Sequence, residues 1–295
     1  MARGIEMVEN YSVVAKFDGT ADDVLRAAGF SRTMVTGLRK EEGLIRVISE
    51  KDGAEKTVFA TARVYKGDKI NVSLPVFPVL YPESDLKPEF RYIDEDIAVV
   101  VKPSGVATVP VKSHYKDSLA SILGAEWGEF VYRPVGRLDK DTSGLIAVAR
   151  NALSACRMHE LQLSGGIEKR YTALVSGLMP ESGEIDAPIA LSSDGIRREA
   201  AKGGKPAKTL FRRIGTLNGD SLVEFTLLTG RTHQIRVHTA YIGHPIVGDK
   251  LYGDGKDGAT RLMLHCSRLA FPHPTTGRTV EAEDPFVIEG YRIFF

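Results

Sequence analysis

The stretch Gly136-Arg137-Leu138-Asp139-Lys140-Asp141-Thr142-Ser143-Gly144-Leu145 gathers two carboxylates, two cations and two hydroxyls ahead of an aliphatic run. A carboxylate on such a loop can attack a substrate or move a proton. Taken alone, the same loop is equally an ordinary polar turn with capping hydroxyls. A second group, Lys169-Arg170-Tyr171-Thr172-Ala173, opens a β-type run after the turn at Ser164-Gly165-Gly166. The flat ring and hydroxyl of Tyr171 suit stacking on a base and positioning a carboxylate; the plainer alternative is a half-buried strand tyrosine. The third is Thr229-Gly230-Arg231-Thr232-His233-Gln234-Ile235-Arg236-Val237-His238, where a strand gives way to a helix expected to be capped by Thr232. Arg231 at that helix start could hold a carboxylate or a phosphate. Arg137 and Lys140 could equally serve phosphates.

Metal chemistry is not indicated. His233 and His238 are five apart, off a shared helical face, and neither they nor His244 and His265 show HExxH spacing. Cys156 and Cys266 form no CxxC pair. Gly203-Gly204-Lys205 lacks the spacing of a phosphate-binding P-loop.

Two units are expected to position these groups. Pro75, Pro78, Pro82 and Pro88 cluster into an extended stretch, which divides the chain into 1–75, a linker 76–89, and 90–295. In the first unit Thr20 precedes a helix over Ala21–Ala28. Ser31 caps a second helix over about Arg32–Glu42, with Met34, Val35 and Leu38 on one face and Arg32, Arg39 and Lys40 on the other. Leu44–Ile48 and Lys69–Leu74 alternate like strands, with Gly67-Asp68 turning into the second. In the second unit the runs Ile97–Val101, Leu145–Ala149, Tyr171–Val175, Leu222–Leu228 and Leu262–Phe271 read as strands. Asp117–Leu123, Ala152–Leu163 and Thr232–Ile242 read as helices. Helices do not alternate strictly with strands, so the fold class is α+β, with a mixed rather than doubly wound sheet.

Composition is that of an ordinary globular chain: 43% hydrophobic and 26% charged residues over 295 positions. A net charge of +1 excludes a strongly basic coat protein, so any nucleic-acid contact has to come from local patches. The N-terminal residues lack a signal-peptide core, and no apolar run is long enough to span a bilayer. A cytoplasmic protein without membrane contact is the expectation.

Together the motifs resemble the RluA/RluD-type RNA pseudouridine synthases. The resemblance rests on Arg137-Leu138-Asp139 followed by Thr142-Ser143-Gly144, on Lys169 to Ala173, on Thr229 to Arg236, on Pro245-Ile246-Val247-Gly248-Asp249, and on Lys102-Pro103-Ser104-Gly105. It implies a largely antiparallel catalytic domain that isomerises uridine in rRNA or tRNA, with no cofactor and no obligatory protein partner. By the same resemblance Asp139 is the catalytic aspartate, Tyr171 stacks on the target uracil, Arg231 pairs with the aspartate, and Arg137 probes or replaces the flipped base. One departure is Gly136, where the family commonly has histidine. The N-terminal unit is similar to a degenerate S4-type RNA-binding domain, without the usual Asn-Gly turn after its first strand. Lys102, Lys169 and Arg236, with Arg32, Arg39 and Lys40, complete the expected RNA contacts. Two other readings stand beside this one: a non-catalytic RNA-binding or ribosome-assembly factor, and a hydrolase using Asp141 as a second carboxylate.

Overall fold

The computed structural model describes residues 7–39, 42–111, 115–253, 259–288 and 291–293. The N-terminal unit is a four-stranded antiparallel sheet in which Lys69–Val76 lies between Met7–Val14 and Ile45–Ile48, with Glu55–Thr57 outermost. Helices α1 (Ala21–Ala27) and α2 (Arg32–Leu38) cover it. Thr20 caps α1 reciprocally with Asp23, and Ser31 Oγ accepts from the Met34 amide. Leu25, Val35, Leu38, Ile45 and Ile70 are fully buried between helices and sheet.

Helix α2 is shorter than the charge pattern predicts. It ends at Leu38, and Arg39 turns back to an ion pair with Asp22 at 3.0 Å. Lys40 lies outside the described residues. The proline stretch also begins later than expected, because Pro75 belongs to a strand. Pro75 sits beyond Val72, the last residue of that strand paired with Ile45–Ile48, so its missing N–H leaves no gap in that ladder.

The second unit is built on one large sheet. Its strands run in the order Ser182–Asp186, Lys208–Leu217, Asp220–Leu227, Glu168–Val175, Leu264–Pro272, Ser143–Ala149, Ile97–Lys102 and Glu89–Ile93. Thr279–Glu283 adds to Leu264–Pro272 through the turn at Thr275-Thr276-Gly277. Among the described residues every strand pairing in this sheet is antiparallel except one: Ser143–Ala149 runs parallel to Leu264–Pro272, with Ser143 opposite His265 and Gly144 opposite Cys266. Gly144 allows the approach. A Cβ there would fall 2.3 Å from the Cys266 carbonyl oxygen, and its φ is +109°. The fold is therefore α+β with a mixed, largely antiparallel sheet. Helices α3 (Leu119–Trp127), α4 (Ala152–Leu163) and α5 (Gln234–Tyr241) accompany it. Among the described residues no helix is long and apolar enough to cross a membrane.

The two units are docked. Leu153 of α4 is buried in the N-terminal core. At the start of α4, where amides lack helical partners, Ala152 N–H donates to Glu9 Oε2 at 2.8 Å and Leu153 N–H donates to Tyr11 Oη at 3.3 Å. Glu9 also takes Arg133 at 2.7 Å, and Arg157 donates to the Ala28 carbonyl at 2.7 Å.

Candidate active site

Asp139 stands on the loop that leads into the Ser143–Ala149 strand. Segment 102–108 grips the backbone of that loop almost residue by residue. Thr108 Oγ1 donates to the Leu138 carbonyl at 2.7 Å and accepts from the Leu138 amide at 3.1 Å. The Lys140 carbonyl accepts from Lys102 Nζ at 2.9 Å and from the Gly105 amide at 3.0 Å. Ser104 Oγ donates to the Asp141 carbonyl at 2.7 Å. Both neighbours of Asp139 are thus held through their main chains, which leaves its side chain half-exposed on a fixed base. Beyond the loop Ser143 Oγ meets His265 Nδ1 at 2.9 Å, and His265 in turn meets Asp284 at 3.2 Å. All three are buried, so this Ser–His–Asp array anchors the strand rather than presenting a nucleophile.

Thr108→Val is expected to slow turnover by about 10–100-fold, the scale of a catalytic group displaced by about 1 Å. Valine matches threonine in shape and leaves both polar groups of Leu138 unpaired. Thr108→Ser keeps the hydroxyl and is expected to restore the rate. Release of tritium from 5-tritiated uridine in RNA measures both.

Lys102 does not reach RNA. It is fully buried, and its ammonium donates to the carbonyls of Pro103, Val106 and Lys140 at 2.8, 2.8 and 2.9 Å. A phosphate contact would require this ammonium to leave three carbonyl acceptors that already compensate its burial. Burial pushes it down to about 7, against the opposing pull of Asp139 and Asp141. Between about pH 7 and the ordinary 10.5 the folded chain then holds fewer protons at this site than the unfolded chain. Wild type is therefore expected to gain stability relative to Lys102→Met as pH rises through that window, and to lose it as pH falls. Urea unfolding of both proteins near each end of the window measures the difference. An unchanging difference would contradict the depressed lysine.

Around Asp139 the structure gathers Tyr171, His233 and Arg236. Tyr171 is buried beside a bulge at which its strand skips Ser267 of the neighbouring one. Burial first, then Cys266 and the negative charge of Asp139, push its phenol well above the ordinary value. His233 Nε2 lies 4.0 Å from Asp139 Oδ1, and its Nδ1 meets Tyr252 Oη at 2.9 Å. Burial pushes this imidazole below its usual value, Arg236 adds to the lowering, and Asp139 pulls the other way. The residue adopts a left-handed backbone, φ +58° and ψ 21°, which a non-glycine residue takes only when its surroundings hold it there.

Arg236 is buried and grips Asp249 through two hydrogen bonds of 2.7 Å. Its guanidinium lies over the Tyr252 ring, 5.1 Å from the centroid. Burial alone would lower this arginine, but Asp249 and then Asp139 outweigh it and raise it. Arg236 is thus a structural cation facing the Asp139 charge, rather than an open RNA contact.

Arg231, expected to pair with Asp139, is engaged otherwise. It is exposed, its Nε donates to the Pro206 carbonyl at 2.9 Å, and among the described residues it forms no ion pair with Asp139. The cap also differs from expectation. Helix α5 starts one residue later, at Gln234, with His233 rather than Thr232 in the capping position. The Gln234 side chain does the work of a cap, taking the Arg231 amide and the Thr229 hydroxyl on its oxygen and donating to the Lys208 carbonyl and Thr209. That lock turns Arg231 outward and Arg236, one and a half turns further on, inward.

The remaining candidates divide by position. Arg137 is exposed on the loop beside Asp139. Lys169 is half-buried, and its Nζ lies 3.3 Å from where a Cβ on Gly136 would stand. Arg32 is exposed on α2, at a distance in sequence from the Asp139 loop, and Arg39 is engaged with Asp22. Asp141, the candidate second carboxylate, is exposed. Thr108, His233 and Tyr252 were absent from the expected site. His233 lies within the Arg231 to Arg236 motif and Tyr252 just beyond the Pro245 to Asp249 motif, whereas Thr108 stands among ordinary apolar residues.

Comparison with known proteins places this geometry. Residues 96–241, from the strand before Lys102 through α5, match the family described as RNA pseudouridylate synthase. The uncharacterized RNA pseudouridine synthase YlyB of Bacillus subtilis is 38% identical over 241 residues, covering 77% of this chain and 79% of its own. Ribosomal large subunit pseudouridine synthase C of Escherichia coli is 32% identical over 299 residues, covering 90% and 91%. Among solved structures, human RNA pseudouridylate synthase domain containing 1 superposes with a TM-score of 0.60 at 29% identity, over 70% of this chain and 86% of that one. The Asp139 loop, the Tyr171 strand and α5 all fall within the matched region, and the chain belongs to the RNA pseudouridine synthases, a family of isomerases.

Proposed function

We propose that this chain converts specific uridines of structured RNA to pseudouridine, in ribosomal RNA first and tRNA second, with Asp139 as the reacting carboxylate. The observation that carries the proposal is the setting of Asp139: a half-exposed carboxylate on a backbone-clamped loop, between the Tyr171 phenol, His233 at 4.0 Å and the positive field of Arg236. Ribosomal RNA is favoured because relatives that align along most of the chain are ribosomal large subunit synthases C and D.

The reaction breaks the bond between C1′ and N1 of the base and forms one between C1′ and C5. N1 gains a proton and C5 loses one, so no redox partner and no net water are required. The uridine leaves the stack, at a cost of a few kcal/mol offset by backbone contacts and stacking. Tyr171 supplies the ring against which the base rests. Asp139 acts on the sugar or the base, by attack at C1′ or C6 or by removal of the 2′ proton. Arg236, rather than Arg231, is the cation that stabilises the aspartate charge, and its own position is held by Asp249. The N-terminal unit, capping α4 through Glu9 and Tyr11, offers Arg32 as an RNA contact on a fixed neighbour of the active domain.

The test is tritium release from 5-tritiated uridine in unmodified rRNA and tRNA transcripts, joined to a map of rRNA pseudouridines in cells with and without the protein. Release from rRNA and loss of a mapped site support the proposal. RNA binding with no release from either substrate would favour a non-catalytic assembly factor instead.

A further inference from the structure

A cavity of about 350 Å³ opens beside the catalytic loop, on the side where α4 passes Gly136 and Arg137. Its floor is apolar, from Pro134, Val135 and Ala155, and its rim carries Arg137, His159 and Gln162. Gly136 has a φ of +75°, and a Cβ there would stand 3.0 Å from Gln162 Nε2 and 3.3 Å from Lys169 Nζ. The missing side chain therefore uncovers an amide and an ammonium. Among the described residues the side chains of Arg137, His159, Gln162 and Lys169 form no hydrogen bond or ion pair with another group, although Lys169 is half-buried and burial disfavours its charged form. Arg133 at the cavity edge is different, being paired with Glu9.

Lys169 is the half-buried donor of this group, and Arg137, His159 and Gln162 stand exposed at the cavity mouth, where a ligand can meet them. Arg137 on the lining, with Lys169 behind Gly136, suits a phosphodiester. An apolar floor with an amide and a ring nitrogen at its rim suits a flat base with a hydrogen-bonding edge. The volume falls within the range of small-ligand sites. Gly136 precedes Asp139 by three residues, so the cavity lies within about 11 Å of it along the chain. We infer that this cavity is a second nucleotide subsite, which receives an unstacked nucleotide of the RNA flanking the target uridine and so selects the sequence around it. The inference rests on the proposed action on RNA.

The test uses the full chain and unmodified rRNA transcripts. Ala155→Trp fills the cavity from its α4 wall. The pair His159→Ala/Gln162→Ala removes the exposed rim groups without touching the core, and so covers the case in which tryptophan disturbs folding. Each is expected to raise KM for the transcript about tenfold, a loss on the scale of one or two hydrogen bonds. Arg137→Gln is expected to lower the slope of log KM against log salt by about one. An unchanged KM in the double variant, or a loss confined to kcat, would overturn the subsite while leaving the isomerase reading intact. Absence of tritium release by the wild type from rRNA and tRNA alike would count against the isomerase reading. In that case the same tenfold loss, read as Kd by filter binding of the same transcripts, decides the subsite separately.

Discussion

Asp139→Asn is expected to reduce tritium release by at least about 10⁴-fold, the scale seen when a central catalytic group is removed from an otherwise intact site, with RNA binding retained. The substitution changes one atom and leaves the loop unaltered, because Thr108 and Lys102 hold the main chain of residues 138 and 140 rather than the Asp139 side chain. What disappears is the negative charge and the capacity to attack carbon or accept a proton. RNA affinity comes mainly from phosphate contacts spread over the surface, which the substitution does not touch. Single-turnover release and filter binding on one transcript separate the two quantities. Residual release near the wild-type rate would remove Asp139 from the chemistry.

The second large effect concerns which arginine serves the aspartate. Arg236→Met is expected to destabilise the fold by about 3–5 kcal/mol, because it leaves the Asp249 carboxylate buried and unpaired. Asp249 is 1% exposed and accepts both guanidinium bonds, together with the Leu251 and Tyr252 amides. Arg231→Ala removes one exposed hydrogen bond to Pro206 and is expected to cost no more than about 1 kcal/mol. Stability alone would not separate a structural arginine from one that also acts on Asp139. The double variant Arg236→Met/Asp249→Leu does so. Replacing both members of a buried pair with apolar residues commonly recovers stability, yet the positive charge facing Asp139 is still gone. Recovered unfolding free energy with turnover still depressed is the expected result. Recovery of both would reduce Arg236 to a packing element, and an Arg231→Ala variant as impaired as Arg236→Met would return the pairing role to Arg231.

Much of the frame is legible in the sequence. Helix α4 was expected over Ala152–Leu163 and occupies those residues, since Asn151 caps it and the turn at Gly165 follows it. The aliphatic runs at Ile97 and Leu145 became adjacent strands of the sheet. Lys208–Leu217 is hard to read as a strand because Lys208, Arg212 and Arg213 lie along it and Gly215 interrupts it, while only Thr209 and Phe211 are buried. Lys102 was misread for a related reason: a lysine in a polar turn looks like a surface contact until three carbonyls are found around it. The outward turn of Arg231 depends on Gln234 reaching Lys208 and Thr209 across 26 and 25 residues, a contact that no local spacing encodes.

Residue order alone was enough to determine the family motifs, the α+β class and the identity of the candidate carboxylate, because these depend on residue types at short spacing and on hydrophobic periodicity. The tertiary structure decided which cation faces Asp139, which hydroxyl holds its loop, and how the N-terminal unit docks on α4. Those outcomes depend on desolvation and on hydrogen bonds between residues far apart in the chain. A buried arginine and an exposed one are the same letter, and only packing assigns them their different charges' work.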